Sequence, residues 1–197
     1  MRADAERNRL RLVEVTVELV LEVGGEPTRD AIAQRAGVGI GTLYRHFPDP
    51  PSLLRAAARH VLEKSIGAGE ELLETVPDGV DALRRYMHAA LDNGIGAVNI
   101  IRPLLGKTEW ADLRRRAGTL TKKLLAGAAR ASLRGDLTER DIVFALTRFA
   151  RPLAMGLPAA EERALAHRHL DFYIDGLCAG HATNREPGNR EPGRTFD

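Results

Sequence analysis

Residues 28–47 read TRDAIAQRAGVGIGTLYRHF. The stretch is a polar opening, a short run with apolar residues four apart, a glycine, and a second short run closing on an aromatic. The spacing predicts two short helices, about 29–36 and 40–46, because Ile32 and Ala36 fall on one face and Leu43 and Phe47 on another. Thr28 is placed to cap the first. Gly37 follows it where a left-handed backbone is expected, which glycine adopts without a Cβ penalty. Two such helices cross steeply around a three- or four-residue turn. Ala33 then sits at the closest approach, and Ile32, Ala36, Val38, Leu43 and Phe47 form a shared core. Twenty residues cannot bury enough surface to fold alone, so neighbouring helices must cover that core.

Upstream, Leu12, Val13, Leu19, Val20 and Val23 recur at three- and four-residue steps and predict an amphipathic helix over about 8–23, ended by Gly24-Gly25. Downstream, Asp49 before Pro50-Pro51 suits a cap followed by first-turn prolines. Longer helices are expected over about 50–75, 80–98, 110–133, 138–155 and 159–179. Pro77-Asp78-Gly79 and Arg134-Gly135-Asp136 read as turns, and Thr138 with Asp141 as a capping box. No segment alternates for long like a strand, so the fold class is all-α. The expected division is a helix-turn-helix domain over 1–50, a helical domain over 51–180, and a disordered tail over 181–197. That tail holds NREPG twice and cannot bury a core.

In a helix-turn-helix the second helix enters the major groove of DNA. Its outward face here would be Gly39, Ile40, Gly41, Thr42, Tyr44, Arg45 and His46. Thr42 and Tyr44 can donate to phosphate, and Arg45 can reach phosphate or a guanine edge. Thr28 and Arg29 stand at the amide end of the first helix, which suits a phosphate.

The string AIAQRAGVGIGTLYRHF resembles the DNA-binding signature of the TetR family, whose pattern is close to IA-x-x-AGV-x-x-GTLY-x-HF. Ile32, Ala33, Ala36, Gly37, Val38, Gly41, Thr42, Leu43, Tyr44, His46 and Phe47 all match. The resemblance covers about 10–60; beyond it only the architecture is similar. There are two departures. Members often carry Ser where Gly39 stands, and a Lys or Arg usually opens the next helix where this chain has Pro50. The resemblance implies a repressor released from a palindromic operator by a small-molecule effector, working as a homodimer. A TetR-type activator shares every feature. The last two helices would pair with their symmetry mates, with Phe149, Leu153, Leu170, Ile174 and Leu177 at that interface. Polar residues that interrupt apolar surface between about 80 and 155 are candidates for the effector pocket: His88, Asn93, Asn99, Arg102, Trp110 and Arg148.

Composition adds limits. The 197 residues carry a net charge of +2, and only four of the 29 basic residues are lysines. The first fifty residues hold seven Arg and eight acids, so bulk charge announces no nucleic-acid partner. The lone Cys178 rules out an intrachain disulfide. No apolar run of about 18 residues occurs, so the expected setting is the cytoplasm with no membrane partner. HExxH, CxxC and Walker patterns are absent. His167 and His169, two apart on a helix, make a poor metal pair. The alternative of an all-α enzyme or adaptor would need convergent acid, base or metal groups, and none stands out. The expectation is a non-enzymatic protein without cofactor.

Overall fold

The computed structural model describes residues 2–104, 111–151 and 156–179. They form nine α-helices and no strand among the described residues: α1 (Arg2–Val23), α2 (Arg29–Ala36), α3 (Ile40–His46), α4 (Pro50–Thr75), α5 (Gly79–Asp92), α6 (Ile95–Ile101), α7 (Ala111–Ala131), α8 (Glu139–Phe149) and α9 (Ala159–Ala179). Three of the expected helix starts are set by side-chain caps. Thr28 Oγ1 accepts from the Ala31 amide, Asp49 from the Ser52 amide at 2.7 Å, and Asp78 from the Asp81 amide at 2.8 Å. Each satisfies an amide that a helix start leaves without a partner. At α8, Asp141 reaches back to the Thr138 amide at 2.7 Å, as the capping-box reading requires.

Helix α1 begins six residues earlier than its apolar period suggested. Its first turns are exposed and held by the Asp4–Arg7 pair, so no buried stripe marks them. From Leu12 on the helix is buried over a broad face, and the buried Thr16 hydroxyl donates back to the Leu12 carbonyl at 2.7 Å.

The expected helix over 80–98 is two helices. Gly94 breaks it with φ +85°, and a Cβ there would lie 2.7 Å from Val17 Cγ1 on α1. The turn therefore needs glycine twice over, for its backbone and for its neighbour. The expected helix over 138–155 is observed as Glu139–Phe149, and residues 152–155 lie outside the described residues, as do Trp110 and the tail over 181–197.

Helix α4 leaves the helix-turn-helix, packs along α1 and continues against α5, α6 and α7. Helix α5 lies between α4, α7, α8 and α9. The buried apolar side chains form one cluster from Leu12 to Leu177. Within it Tyr86 is buried, which pushes its phenol above the usual range while a hydrogen bond with Thr121 pulls the other way. No described helix is long and apolar enough to cross a membrane.

Close backbone contacts make one position especially sensitive. A Cβ at Gly96 on α6 would stand 2.0 Å from the Ala150 carbonyl oxygen at the end of α8. Backbone cannot swing aside as a side chain can. Gly96→Ala should therefore push α6 from α8 and lower stability by about 1–3 kcal/mol, as overpacking of a tight site does. A denaturant midpoint equal to that of the wild type would contradict it.

Candidate nucleic-acid interface

The helix-turn-helix is built from its buried side. Ile32, Ala33, Leu43 and Phe47 are buried, with Ala36 and Val38 packed against them, and α1 covers the unit. Gly37 ends α2 at φ +71°, and the amides of Gly37 and Val38 return to Gln34 and Ala33. Arg35 on α2 makes a two-pronged pair with Glu22 on α1 at 3.0 and 3.1 Å. That hydrogen bond holds the Glu22 carboxyl below the usual range; both groups are exposed, so the pair orients more than it stabilises.

Burial of Leu43 and Phe47 turns the rest of α3 outward. Gly39, Ile40, Gly41, Tyr44 and Arg45 are exposed, and Thr42 and His46 half-buried. Tyr44 is 50% exposed and Ile40 39%, large values for apolar rings and branches unless a partner covers them. Gly39 caps α3 in extended conformation with no side-chain bond, leaving the approach to the helix start open. Arg45 Nε lies 3.4 Å from the Gly41 carbonyl one turn back, and its guanidinium is in solvent. Thr28 is exposed, and since its oxygen accepts from the Ala31 amide its proton remains to donate outward.

Arg29 is placed differently from the sequence expectation. Its guanidinium does not stand in solvent at the α2 start. Nη1 donates to the Phe47 carbonyl at 2.8 Å, and Cζ lies 4.8 Å from the centre of the Tyr44 ring. Nε and Nη2 are buried with no protein hydrogen-bond acceptor, so the ring face is their compensation. A cation at the carbonyl end of α3 also complements that helix's dipole. Arg29 thus holds α3 in position. Arg9 of α1 does similar work from the other side, with Cζ 4.9 Å above the Phe47 ring. Sequence reasoning had no signal for Arg9, because its partner lies thirty-eight residues away.

At the start of α4, Pro50 and Pro51 occupy the first turn and are exposed. Arg55 Nη2 lies 3.4 Å from Asp49, next to the position that Pro50 leaves without a cation.

Most of the residues expected at an interface on α8 and α9 are covered within the single chain. Leu170, Ile174 and Leu177 are buried within the chain, where α9 lies on α5 and α8, and Phe149 is half-buried with its ring 5.7 Å from Tyr173. Leu170, Ile174 and Leu177 belong to the chain's own core, with Phe149 packed against it; Leu153 lies outside the described residues. The exposed apolar surface of the two helices is Val143, Phe144 and Phe172, at 53%, 66% and 58% exposure. A one-residue offset along a helix decides which stripe is inside, and both stripes of α8 are apolar.

Among the pocket candidates, Trp110 lies outside the described residues. Asn93 ends α5, Asn99 is half-buried on α6, Arg102 is exposed, and Arg148 is exposed with its guanidinium 6.0 Å from the Phe144 ring. His88 is bonded to His167 and Asp171 of α9. Among the described residues, one surface cleft lies between α4 and α7 at Leu73, Glu74 and Arg130, and another between α1 and α4 at Leu10, Val13 and His60. Neither includes a candidate.

A buried-core helix-turn-helix with an exposed second helix, joined through one long helix to a larger helical body, defines a helix-turn-helix regulator by class. Residues 12–59 match the model described as bacterial regulatory proteins, tetR family. An HTH-type transcriptional regulator of Staphylococcus aureus (strain USA300) is 32% identical over 93 residues, 47% of this chain and 48% of that protein. The chain thus spans about half the length of the curated relatives it matches. The solved TetR transcriptional regulator SCO0520 from Streptomyces coelicolor is 28% identical with a TM-score of 0.64, over 86% of this chain and 98% of that one. The TetR-like regulator LfrR from Mycobacterium smegmatis, solved with proflavine, is 25% identical with a TM-score of 0.65, over 84% and 95%. Residues 12–59 are thus similar to the tetR-family regulators, and the chain shares the fold of the solved TetR regulators.

Proposed function

We propose that the protein is a DNA-binding repressor that leaves a palindromic operator when a small molecule binds its helical body. The observation that carries the DNA-binding reading is the outward face of α3, where Ile40, Thr42, Tyr44 and Arg45 stand clear of the core that Leu43 and Phe47 bury. Thr42, Tyr44 and His46 position the helix on phosphates, and Arg45 with the start of α3 at Gly39 and Ile40 faces the bases. The proposed division is a recognition domain over 1–50 and an effector and dimerisation domain over 51–180. Effector control finds support in the LfrR structure, which holds proflavine. Helix α4 begins at the domain boundary and packs on α1 as well as on α5, α6 and α7, so its tilt would change the separation of two recognition helices, which must lie about 34–36 Å apart to enter successive grooves.

The dimer face of this reading is Val143, Phe144 and Phe172. Exposed aromatic side chains on paired helices are the surface a second copy would cover.

The test is selection of double-stranded DNA from a random pool by the full chain. Enrichment of an inverted repeat is expected; recovery of unrelated sequences would refute the reading. The recovered site then permits a sharper measurement. Pro50 contributes no cation, while Asp49 keeps the α4 cap through Ser52. Pro50→Lys should leave the fold intact, tighten binding at low salt, and steepen the dependence of log K on log[salt] by about one unit. Identical slopes would show that Arg55 already serves that phosphate.

A further inference from the structure

Across the contact of α5 with α9 runs a line of polar side chains that the regulator reading leaves unused. His167 Nε2 lies 2.9 Å from Asp92, His167 Nδ1 lies 2.6 Å from His88 Nδ1, and His88 Nε2 lies 3.0 Å from Asp171. Arg84 Nη1 donates to the same Asp171 oxygen at 2.6 Å, and its other nitrogen to Asp175. The imidazoles are 11° from parallel with centroids 4.9 Å apart. The excess of that distance over the Nδ1···Nδ1 separation is one ring radius on each side. The rings therefore meet edge to edge, close to one plane, as an N–H···N bond requires.

The number of protons follows from the partners. Burial pushes the Asp171 carboxyl up, but hydrogen bonds from His88 and Arg84 more than offset this and hold it below the usual range. A carboxylate only accepts, so the Nε2 facing it carries hydrogen, and the same holds for His167 against Asp92. With both Nε2 atoms protonated, the two Nδ1 atoms bond only if one carries hydrogen and the other does not. The pair then holds one imidazolium and one neutral ring. Removing the shared proton leaves two lone pairs face to face. Adding a second leaves two N–H groups face to face. Either change breaks the bond.

We propose that His88 and His167 form a one-proton site that latches α9 onto α5 only in a middle range of pH. The groups that face the pair are Arg84 and Asp92 on α5 and Asp171 and Asp175 on α9. On the other helices packed against α5, several charged groups are engaged away from the pair. Arg148 of α8 lies against Phe144, Asp141 bonds Thr138, Arg116 of α7 approaches Glu70 of α4, and Lys122 approaches Glu139. Helix α6 carries no titratable side chain. Histidine ordinarily changes charge between about pH 5 and 8, so that is the range to scan. Helix α9 carries Phe172 and α5 lies on α4, so release of the latch would reach both the dimer face and the lever to α3. That last step rests on the proposed regulator reading; the latch itself does not.

The experiment is a double-mutant cycle on the full chain, with His88→Gln, His167→Gln and the double variant unfolded by denaturant at a series of pH values. The expected coupling is roughly tenfold in the folding equilibrium constant near the middle of the histidine range, falling to none at both ends. Asp171 stays ionised well below that range, so loss of coupling on its acid side belongs to the rings. Coupling that is flat with pH, or that changes in one direction only, overturns the proposal, as does coupling abolished by a chelator. Should the variants fail to fold, nitrogen NMR of the histidine rings in the wild type decides it. Both Nε2 atoms should be protonated, and the two Nδ1 atoms should share one proton; two independently titrating rings would overturn it. None of these readings needs DNA, so failure of the latch and failure of the regulator reading are distinguishable.

Discussion

Ile174→Glu is expected to unfold the helical body, whereas Phe144→Glu is expected to leave it folded and separate the subunits. Ile174 is fully buried between α9 and its neighbours, while Phe144 is 66% exposed. A carboxylate at position 174 would have no partner and no water, and such burial costs several kcal/mol, a large share of a domain's stability. The same carboxylate at 144 meets solvent in the single chain and is desolvated only when a second copy covers the face. Thermal unfolding and sedimentation of the two variants side by side should show loss of the cooperative transition for Ile174→Glu. Phe144→Glu should keep a near-native transition at half the mass. A folded, monomeric Ile174→Glu would return that residue to the interface, and a dimeric Phe144→Glu would move the face elsewhere.

Replacing Arg29 should weaken DNA binding without changing its salt dependence. The guanidinium bonds the Phe47 carbonyl and lies on Tyr44, so Arg29→Gln removes what holds the end of α3. A hydrogen bond from a charged donor contributes roughly 1.5–3 kcal/mol, and the ring contact about 0.5–2 kcal/mol. Part of that loss will appear as lower stability and part as lower affinity, because Tyr44 and Arg45 would no longer be presented in one geometry. A residue that neutralised a phosphate would behave otherwise: its removal would make the slope of log K against log[salt] shallower by about one unit. Equilibrium anisotropy across salt concentrations, for wild type and Arg29→Gln, separates the two roles. A shallower slope would show that the guanidinium swings out to DNA.

Much of the recognition unit was legible before any coordinates. The bounds of α2, α3 and α4 agree with their spacing and caps, because Thr28, Gly37 and Asp49 act on backbone groups within three or four residues. The outward face of α3 was equally readable, since one buried position on a seven-residue helix and a buried aromatic at its C-cap leave little choice for the others. Where the reading failed, the cause was not local. The start of α1 has no buried stripe to mark it, and the break at Gly94 answers to Val17 on another helix.

What the sequence by itself determined is the all-α class, the helix-turn-helix, and the face it offers. Those follow from periodicity and capping, interactions between residues a turn apart. What only the tertiary structure decided is which of two apolar stripes on α8 and α9 lies inside, where Arg29 points, and that His88 meets His167. Each depends on a partner supplied from another part of the chain, and helix periodicity carries no information about which partner a face will meet. His167 and His169 read as a poor pair along one helix. Packing α9 on α5 gives His167 a different partner, seventy-nine residues away, and leaves His169 beside Phe172 at the surface.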